Sequence, residues 1–496
     1  MNVTIYAPFA IWPYHFETDL EIARNHIEKG DTVTILQCQS NLGICEPNKD
    51  HEWERCLWCK SRYKQGIKWL GAGNVISRKF YNLTNEQRSK VNELVNANYK
   101  SVEDVLNLTI GGADIGLAAA SSAISHMRES ELNLAKHKKL LQKYIRVASE
   151  VYFSISNYIE DESPDLLVLV NGRVAALRPA LRVAQKAGIR VKVHERAGVM
   201  GKFSITDNTY PHDLFAVKKN IARINEVSVD TLEDQKKIGV NWFRDRMEGY
   251  SQGWHSFTRT QEKGLLPEGF NKNRLNVVIF NNSEDEFAAI REWHRGLEDG
   301  QNEWIEKILN ILSSDSSCGI YLRVHPNLSN IQNTQISKIR EMSEQYPNLT
   351  VIPPESRVST YELIKTAGLI ITFGSTVGVE AAYMGVPSIL LGRAQYEDLN
   401  VCIKPSSSEE LRMIINQIRD GKININKSQQ QREAIKYAYY QATFGKTFKF
   451  VKQSDVNKVV MVDEKGEIAI QPPYYIRKIF NLASDLRRWC KRKKAV

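Results

Sequence analysis

The chain has 496 residues, which is enough for two to four domains with sizeable buried cores. Its 42% apolar and 25% charged residues exclude a disordered, collagen-like or disulfide-dense chain. The net charge is +10, but residues 474–496 hold eight Lys/Arg and one Asp and so contribute +7 of it. Because the positive charge is concentrated in one tail, we expect no nucleic-acid partner.

The chain contains no apolar run near the roughly 20 residues that would cross a bilayer. Its first residues, MNVTIYAPFA, lack a basic segment followed by a long apolar one, so we expect no secretory signal. These features predict a cytoplasmic protein.

Strands and helices alternate in the first half of the sequence. The predicted strands are 3–7, 32–36, 165–170 and 191–194, and the predicted helices are 19–29 and 178–188. A Cys-rich insertion (38–59) and a mostly helical segment (85–160) interrupt them, and 201–268 reads as irregular. This order predicts a parallel sheet covered by helices on both faces.

A second alternating block follows. Its predicted strands are 276–280, 321–324, 350–352, 369–373 and 388–391, and its predicted helices are 329–346, 360–365 and 377–384. Two such blocks predict an α/β protein with two doubly wound Rossmann-like domains facing each other. We expect an acceptor-binding domain over 1–270, a nucleotide-sugar-binding domain over 271–430 and a helical extension over 431–496.

Polar groups follow three strands of the second block. Ligands of open α/β sheets bind at the carboxyl ends of strands, so these groups are candidate binding residues. They are Ser283, Glu284, Arg323, His325, Pro326, Gly374, Ser375, Thr376 and Glu380.

The last of these groups has the chemistry of a phosphate site. Gly374 lets an anion approach the backbone, Ser375 and Thr376 can donate hydrogen bonds, and the following helix begins there. Glu380 could accept bonds from ribose hydroxyls, and His325 could donate to a phosphate or protonate it. The structural alternative is that Ser375 and Thr376 cap a helix and that His325 is a core residue.

Residues 361–388 resemble the nucleotide-sugar half of GT-B glycosyltransferases. The pair His325-Pro326, followed 50 residues later by Ser375-Thr376, resembles the motifs of bacterial sialyltransferases and capsule Kdo transferases. In those families the two motifs hold the phosphate of a CMP-sugar. The resemblance to capsule polysaccharide biosynthesis proteins covers about residues 275–400. It implies a CMP-sugar donor, phosphate-binding and acid roles for His325, and no catalytic metal.

The family's acidic-acidic-Gly motif has no match at the corresponding place. The chain carries Glu284-Asp285-Glu286 instead, without a glycine. This departure leaves the catalytic base open between that cluster and carboxylates of the first half.

Two loops of the first half are candidates for acceptor binding. Asn171 and Arg173 follow one predicted strand, and Glu195 and Arg196 follow the next. A carboxylate beside guanidinium groups suits an anionic sugar, with Glu195 as general base. The structural alternative is an Arg–Glu pair at the sheet edge. Asp114, in the glycine-rich segment 111–116, is a reserve base whose alternative role is a helix cap.

Four cysteines fall within 22 residues: Cys38, Cys45, Cys56 and Cys59. The spacing of Cys56 and Cys59 is that of half a zinc knuckle, and the other two could complete a structural zinc site. An iron–sulfur cluster and four unligated thiols are the alternatives.

The C-terminal tail has apolar residues at helical spacing, followed by a basic end. They are Ile476, Ile479, Phe480, Ala483, Leu486 and Trp489. This pattern is typical of a helix at an anionic membrane surface, and the alternative is a terminal helix packed on the body. It predicts a peripheral location on the inner face of the membrane.

Together these features predict an inverting glycosyltransferase that uses a nucleotide sugar, such as CMP-Kdo or a CMP-sialic acid. Its acceptor would be a surface polysaccharide or a lipid-linked glycan. The alternatives are a glycerophosphotransferase-like enzyme, a nucleotide-sugar epimerase and a non-catalytic nucleotide-sugar-binding protein.

Overall fold

The chain divides into two units, each built on its own sheet. A computed structural model describes residues 1–293, 300–313 and 317–494. Unit 1 comprises Met1–Met127, Leu132–Pro211 and Gly445–Val496, and unit 2 comprises Arg128–Glu131 and His212–Phe444. Unit 1 is therefore discontinuous in sequence.

The N-terminal part of unit 1 is an α/β segment with a helical insertion. Its elements are β1 (Asn2–Tyr6), α1 (His15–Ile27), β2 (Thr32–Gln37), α2 (Trp53–Leu70), β3 (Val75–Lys79), α3 (Asn85–Asn96), α4 (Val102–Leu106), α5 (Ile115–Met127), α6 (Leu134–Glu162), β4 (Leu166–Val170), α7 (Arg178–Lys186), β5 (Arg190–Arg196) and β6 (Lys202–Asp207).

Unit 2 begins with two helices and continues as a regular α/β segment. Its elements are α8 (Leu214–Val227), α9 (Leu232–Met247), β7 (Leu275–Phe280), α10 (Gln301–Leu312), β8 (Cys318–Arg323), α11 (Thr334–Gln345), β9 (Leu349–Ile352), α12 (Thr360–Thr366), β10 (Leu369–Thr372), α13 (Val377–Tyr383), β11 (Ser388–Leu390), α14 (Ser408–Arg419) and α15 (Lys427–Thr443).

The chain then returns to unit 1. The returning elements are β12 (Lys446–Thr447), the hairpin of β13 (Val451–Asp455) and β14 (Lys458–Met461), and the terminal helix α16 (Tyr474–Lys494).

Both main sheets have the strand order of a Rossmann-like fold. In unit 2 the order β11-β10-β7-β8-β9 is parallel throughout. In unit 1 the strands β5-β4-β1-β2-β3 are parallel, and β6 and then β12 extend the sheet antiparallel at one edge. Counted within each unit, the parallel strands follow the order 3-2-1-4-5. The fold class predicted from the sequence, an α/β protein with two Rossmann-like domains, is confirmed.

The central strands are buried on both faces, as a parallel sheet requires. Every residue of β4 and of β10 is buried, and so are the last five residues of β7. Leu309 and Ile308 of α10 and Leu411 of α14 belong to the same core as β7 and β8. This packing fixes the carboxyl ends of β7, β8 and β10 along one edge of the unit 2 sheet.

Three parts of the chain differ from the expectation. Segment 201–268 is not irregular, since it contains β6, α8 and α9. The cysteine-rich insertion leads into α2 and β3, which the sequence analysis missed. The units also differ from the expected domains, because 212–270 belongs to unit 2 and 445–496 to unit 1. Contacts between distant segments decide these assignments, such as the packing of α9 on α15 within unit 2.

Candidate functional site

A cavity of about 310 Å³ opens at the carboxyl ends of β7, β8 and β10 in unit 2. Strands β7 and β10 are neighbours in the sheet, where the strand order reverses, and this is the usual ligand position in such folds. The predicted residues that line the cavity are Ser283, Arg323, His325, Pro326, Gly374, Ser375, Thr376 and Glu380. Glu284 lines a second cavity of about 460 Å³ instead.

The turn after β10 is shaped by a glycine. Gly374 has φ +131°, and a Cβ at this position would clash with the carbonyl oxygen of Arg393. The next residue, Ser375, donates its backbone N–H to the Thr372 hydroxyl at 3.1 Å. Its own Oγ accepts the N–H of Val377 at 3.3 Å, which leaves its O–H able to donate. Ser375 Oγ therefore accepts the first backbone N–H of the helix, and its role as a donor to phosphate stays a prediction.

Arg246, which the sequence analysis did not single out, organises the far side of this turn. Its Nη2 donates to Thr376 Oγ1 at 2.9 Å, and its guanidinium forms an ion pair with buried Glu380 at 2.8 Å. The guanidinium also lies over the Trp242 ring, 4.8 Å from its centroid. Burial alone would lower the pKa of Arg246, but the Glu380 carboxylate raises it above its ordinary value. In this structure Glu380 holds Arg246, whereas the sequence analysis had expected it to accept ribose hydroxyls.

Arg323 is a buried cation whose hydrogen bonds go to backbone carbonyls. It is 3% exposed, and its Nη1 and Nη2 donate to the oxygens of Pro353 (2.7 Å) and Ser356 (3.0 Å). Across the described parts of the chain, no acceptor lies within hydrogen-bond reach of its Nε. Burial lowers the pKa of Arg323 to about 10, so it stays protonated at neutral pH. Arg323 is thus a buried positive charge in the cavity wall whose hydrogen bonds go to neutral acceptors.

His325 is held in one orientation and one tautomer. Its backbone N–H donates to Asn281 Oδ1 at 2.8 Å, and its Nδ1 accepts the Asn327 N–H at 3.2 Å. Its ring lies 5.4 Å from the Phe257 ring in an edge-to-face contact. Burial lowers the pKa of His325 to about 4, and nearby Asp285 opposes this shift only in part. The neutral ring therefore carries its proton on Nε2.

Ser283 is tied into an ionic network beside the cavity. Its Oγ donates to Asp285 Oδ1 at 2.5 Å, and Arg128 forms an ion pair with the same carboxylate at 2.5 Å. Arg128 precedes Asp285 by 157 residues, so local sequence gave no signal of this pairing.

In unit 1 the structure brings together two of the predicted acceptor residues. Asn171 Nδ2 donates to Glu195 Oε2 at 3.0 Å, and Arg173 donates its backbone N–H to Asn171 Oδ1 at 3.2 Å. This follows from the pairing of β4 with β5, whose carboxyl ends are adjacent. The Arg196 guanidinium stacks over Tyr14 at 4.3 Å and donates to the carbonyl of Val456 at 2.6 Å, and its charge also interacts with the Glu195 carboxylate.

Asp114 is held by two arginines. Its carboxylate pairs with Arg178 at 2.5 Å and with Arg182 at 3.0 Å. Burial alone would raise the pKa of Asp114, but the two guanidinium groups hold it well below its usual range. This arrangement favours a structural role for Asp114, because a carboxylate with so low a pKa is a weak base.

A buried histidine cluster beside Glu195 was missed by the sequence analysis. His15 Nε2 lies 3.7 Å from the Glu195 carboxylate. His194 Nε2 lies 2.8 Å from the Asp19 carboxylate. Burial lowers the pKa of His15 to about 4. His15 follows Tyr14, whose φ of +76° is unusual for a residue with a side chain. The position of His15 after the first strand was the one signal that could have drawn attention to it.

The four predicted zinc ligands line one small cavity in unit 1, of about 30 Å³. Three of their sulfurs accept hydrogen bonds: Cys38 from Leu42 N, Cys59 from Ala10 N, and Cys56 from Asn48 Nδ2. Within the described residues, no three His, Cys, Asp or Glu side chains have an arrangement that could hold a metal ion. The spacing thus brings the thiols together, and zinc binding stays a prediction.

No family model and no curated protein matches the chain. Solved structures of GT-B-fold enzymes are similar to it at low identity. One is Thermosulfurimonas dismutans KpsC, a beta Kdo 2,4 transferase, with 14% identity over 55% of this chain and 80% of that one, at a TM-score of 0.35. The UDP-GlcNAc 2-epimerase of Neisseria meningitidis has 10% identity over 88% and 97% of the chains, at 0.28. Acinetobacter baumannii MurG has 13% identity over 90% and 96%, at 0.29. These likenesses assign no function, which has to be argued from the site itself.

Proposed function

We propose that the protein is a glycosyltransferase whose unit 2 binds the phosphate of a nucleotide-activated sugar. The observation that carries this proposal is Arg323, a buried cation in the wall of the cavity whose guanidinium donates to neutral carbonyl oxygens. Ser375, Thr376 and His325 line the same cavity and add hydrogen-bond donors. A cation and several donors around one concave space are the recognition chemistry of a phosphate or diphosphate.

The proposed donor is a CMP-linked acidic sugar such as Kdo or a sialic acid. The His-Pro and Ser-Thr pairs support this choice, because they resemble the motifs that hold such donors. The proposed acceptor is a surface polysaccharide or a lipid-linked glycan, recognised by unit 1 around Asn171 and Glu195.

In the proposed reaction an acceptor hydroxyl attacks the anomeric carbon, and the bond from that carbon to the phosphate oxygen breaks. The nucleotide leaves as an anion, and a single displacement inverts the anomeric centre. Arg323 and the donors of Ser375 and Thr376 stabilise the charge that develops on the leaving phosphate. These protein groups would supply that stabilisation, and the sequence predicts no catalytic metal.

His325 would act first as a hydrogen-bond donor through Nε2. Its pKa of about 4 keeps the ring neutral at physiological pH in the free protein. A bound phosphate brings negative charge next to the ring and raises that pKa, which would favour proton donation to the leaving group.

The acceptor proton would go to Glu195. Its carboxylate lies at the carboxyl edge of the unit 1 sheet, positioned by Asn171 at 3.0 Å. Asp114 is a poorer candidate because Arg178 and Arg182 hold its carboxylate in the ionised form.

Nucleotide binding is the first test. Calorimetric titration with CMP, CDP, UDP, GDP and ADP should show that the protein binds CMP most tightly. Bound CMP should also raise the melting temperature of the protein by mass action. Arg323→Ala and Ser375→Ala should each weaken CMP binding by about tenfold or more, given the usual energy of a charge-assisted hydrogen bond. Arg340→Ala and Ser343→Ala, on α11 outside the cavity lining, are matched controls that should bind CMP normally.

Preference for another nucleotide would overturn the CMP-sugar assignment. An absence of binding to any nucleotide would overturn the phosphate site itself. Release of CMP from CMP-Kdo or a CMP-sialic acid in the presence of a glycan acceptor then tests transfer. Turnover of CDP-glycerol, or of UDP-GlcNAc without an acceptor, would instead indicate a glycerophosphotransferase or an epimerase.

A further inference from the structure

The terminal helix α16 has one face packed against unit 1. Ile476 is buried, and the ring of Phe480 lies 4.9 Å from the ring of Trp58 on α2. Further along the same face, Arg487 forms ion pairs with Glu52, at 2.9 Å, and with buried Glu54. These contacts, spaced four and seven residues apart, fix which side of the helix faces the protein.

One flank of α16, centred about 120° around the helix from the packed face, is an exposed apolar stripe. Its members and their exposed fractions are Tyr475 (63%), Ile479 (36%), Leu482 (60%), Leu486 (62%) and Trp489 (54%). At 3.6 residues per turn these five positions fall within an arc of about 80°. Single exposed apolar residues are common, but an ordered row of five marks an interaction surface.

The charge around the stripe has one dominant sign. The helix carries eight Lys/Arg and a single acidic residue, Asp485. Lys478 and Arg488 are exposed, and four basic residues, 491–494, end the helix. A surface that combines an apolar row with such an excess of positive charge is complementary to anionic lipid headgroups.

We propose that α16 binds an anionic membrane surface, lying parallel to it with the stripe from Tyr475 to Trp489 in the headgroup region. None of the helices in the described residues has the length and apolar content of a membrane span. The proposal rests on α16 alone and is independent of the nucleotide site.

A second copy of the chain is the competing occupant. The stripe has the alternating four- and three-residue spacing of a coiled-coil seam. However, each copy of α16 carries eight Lys/Arg and one Asp, so two such helices would repel each other whichever way they are paired. The charge therefore favours lipid.

Vesicle flotation tests the proposal. The full chain should float with vesicles of phosphatidylglycerol and phosphatidylethanolamine but not with phosphatidylcholine vesicles, and added salt should weaken the binding. The double variant Leu482→Ser/Leu486→Ser should bind the vesicles at least about tenfold more weakly, because it removes apolar area from the lipid contact. Lys478→Gln/Arg488→Gln should also bind more weakly.

Met413→Ser on α14 is a matched control, since Met413 is 58% exposed on a helix of unit 2. It should float like the unchanged protein. Both α16 variants leave the packed face intact, and unchanged melting temperatures would establish that they fold. Equal binding to phosphatidylcholine, or binding that neither variant weakens, would overturn the proposal. A dimer seen by light scattering that Leu482→Ser/Leu486→Ser dissociates would assign the stripe to a second copy instead.

Discussion

Two arginines in the wall of the unit 2 cavity have opposite environments. The charge of Arg246 is matched by Glu380, so this residue positions the turn that carries Thr376. Arg323 donates to carbonyl oxygens, and no carboxylate within the described residues accepts a hydrogen bond from it. Among the described residues, the nearby carboxylate of Arg323 is Glu355, which raises the pKa of this arginine without accepting a hydrogen bond from it.

We expect that only glycine can occupy position 374, in the turn after β10. Gly374→Ala places a Cβ against the carbonyl oxygen of Arg393 at a positive φ, so we expect it to lower the free energy of unfolding by about 1–3 kcal/mol. It should also abolish nucleotide binding, because the turn carries Ser375 and Thr376. Urea denaturation and calorimetry measure the two effects.

Gly73→Ala is the control for this prediction. A Cβ at Gly73 would meet no atom within 4 Å, and its φ lies outside the left-handed region. This variant should change neither stability nor nucleotide binding. Normal nucleotide binding by Gly374→Ala would contradict the proposed role of the turn.

The buried imidazole of His325 should make stability depend on pH. Its pKa falls from the ordinary 6.5 to about 4 on folding, so the unfolded chain takes up a proton at a higher pH than the folded one. The contribution of the neutral His325 ring to the free energy of unfolding is fully present above pH 6.5. It is lost as the pH falls from 6.5 towards 4. The loss approaches about 1.4 kcal/mol per pH unit.

Replacing this group should flatten the pH dependence. In His325→Asn the side chain no longer titrates, and the drop in unfolding free energy between about pH 6.5 and about pH 5 should be smaller than in the unchanged protein. Urea denaturation across this range measures it. His51→Asn, at an exposed position, is the control and should leave the slope unchanged. Parallel slopes for His325→Asn and the unchanged protein would refute the assigned pKa shift.

At the scale of elements, the sequence predicted the strands of unit 2 and the polar groups that follow them. The buried apolar run 369–372 predicts a strand, and the residues Gly374-Ser375-Thr376 that follow it predict a binding turn. Segment 214–227 was missed, although Leu214, Val217 and Ile221 are buried at helical spacing. Its interleaved polar residues concealed that spacing, and its packing against α15 completes the unit.

The cysteine cluster carries the zinc prediction. Four thiols line one cavity of about 30 Å³, and burial raises the pKa of Cys59 to about 12. The described residues do not form a closed metal site in this structure, so a zinc ion would have to draw the four sulfurs together. If it does, we expect about one zinc ion per purified chain, as a closed four-thiolate site would bind. Cys56→Ser/Cys59→Ser should lose the metal and melt at a lower temperature.

Metal analysis by mass spectrometry checks this expectation. Cys318→Ser is the control, because Cys318 is buried in the unit 2 core and should not affect the zinc content. A metal-free protein with all four thiols open to alkylation on unfolding would refute zinc binding and leave the cluster as packed thiols.

At the scale of the whole molecule, the parallel strands of both sheets follow the order 3-2-1-4-5. Unit 1 is nevertheless assembled from three chain segments, and its last segment supplies β12, the β13–β14 hairpin and α16. Seven of the ten net positive charges lie in residues 474–496, the end of that segment. The charge of the molecule is therefore a property of the proposed membrane-binding helix and not of the nucleotide-site unit.

The sequence by itself determined the fold class and most of the candidate site. Both depend on local patterns: the period of buried residues, and the polar residues where a strand stops. Only the tertiary structure revealed Arg246 and Arg128, the engagement of Glu380 and Asp114 by arginines, and the return of residues 445–496 to unit 1. Each of these is a pairing between distant residues, and composition and spacing carry no information about which charges meet when the chain folds.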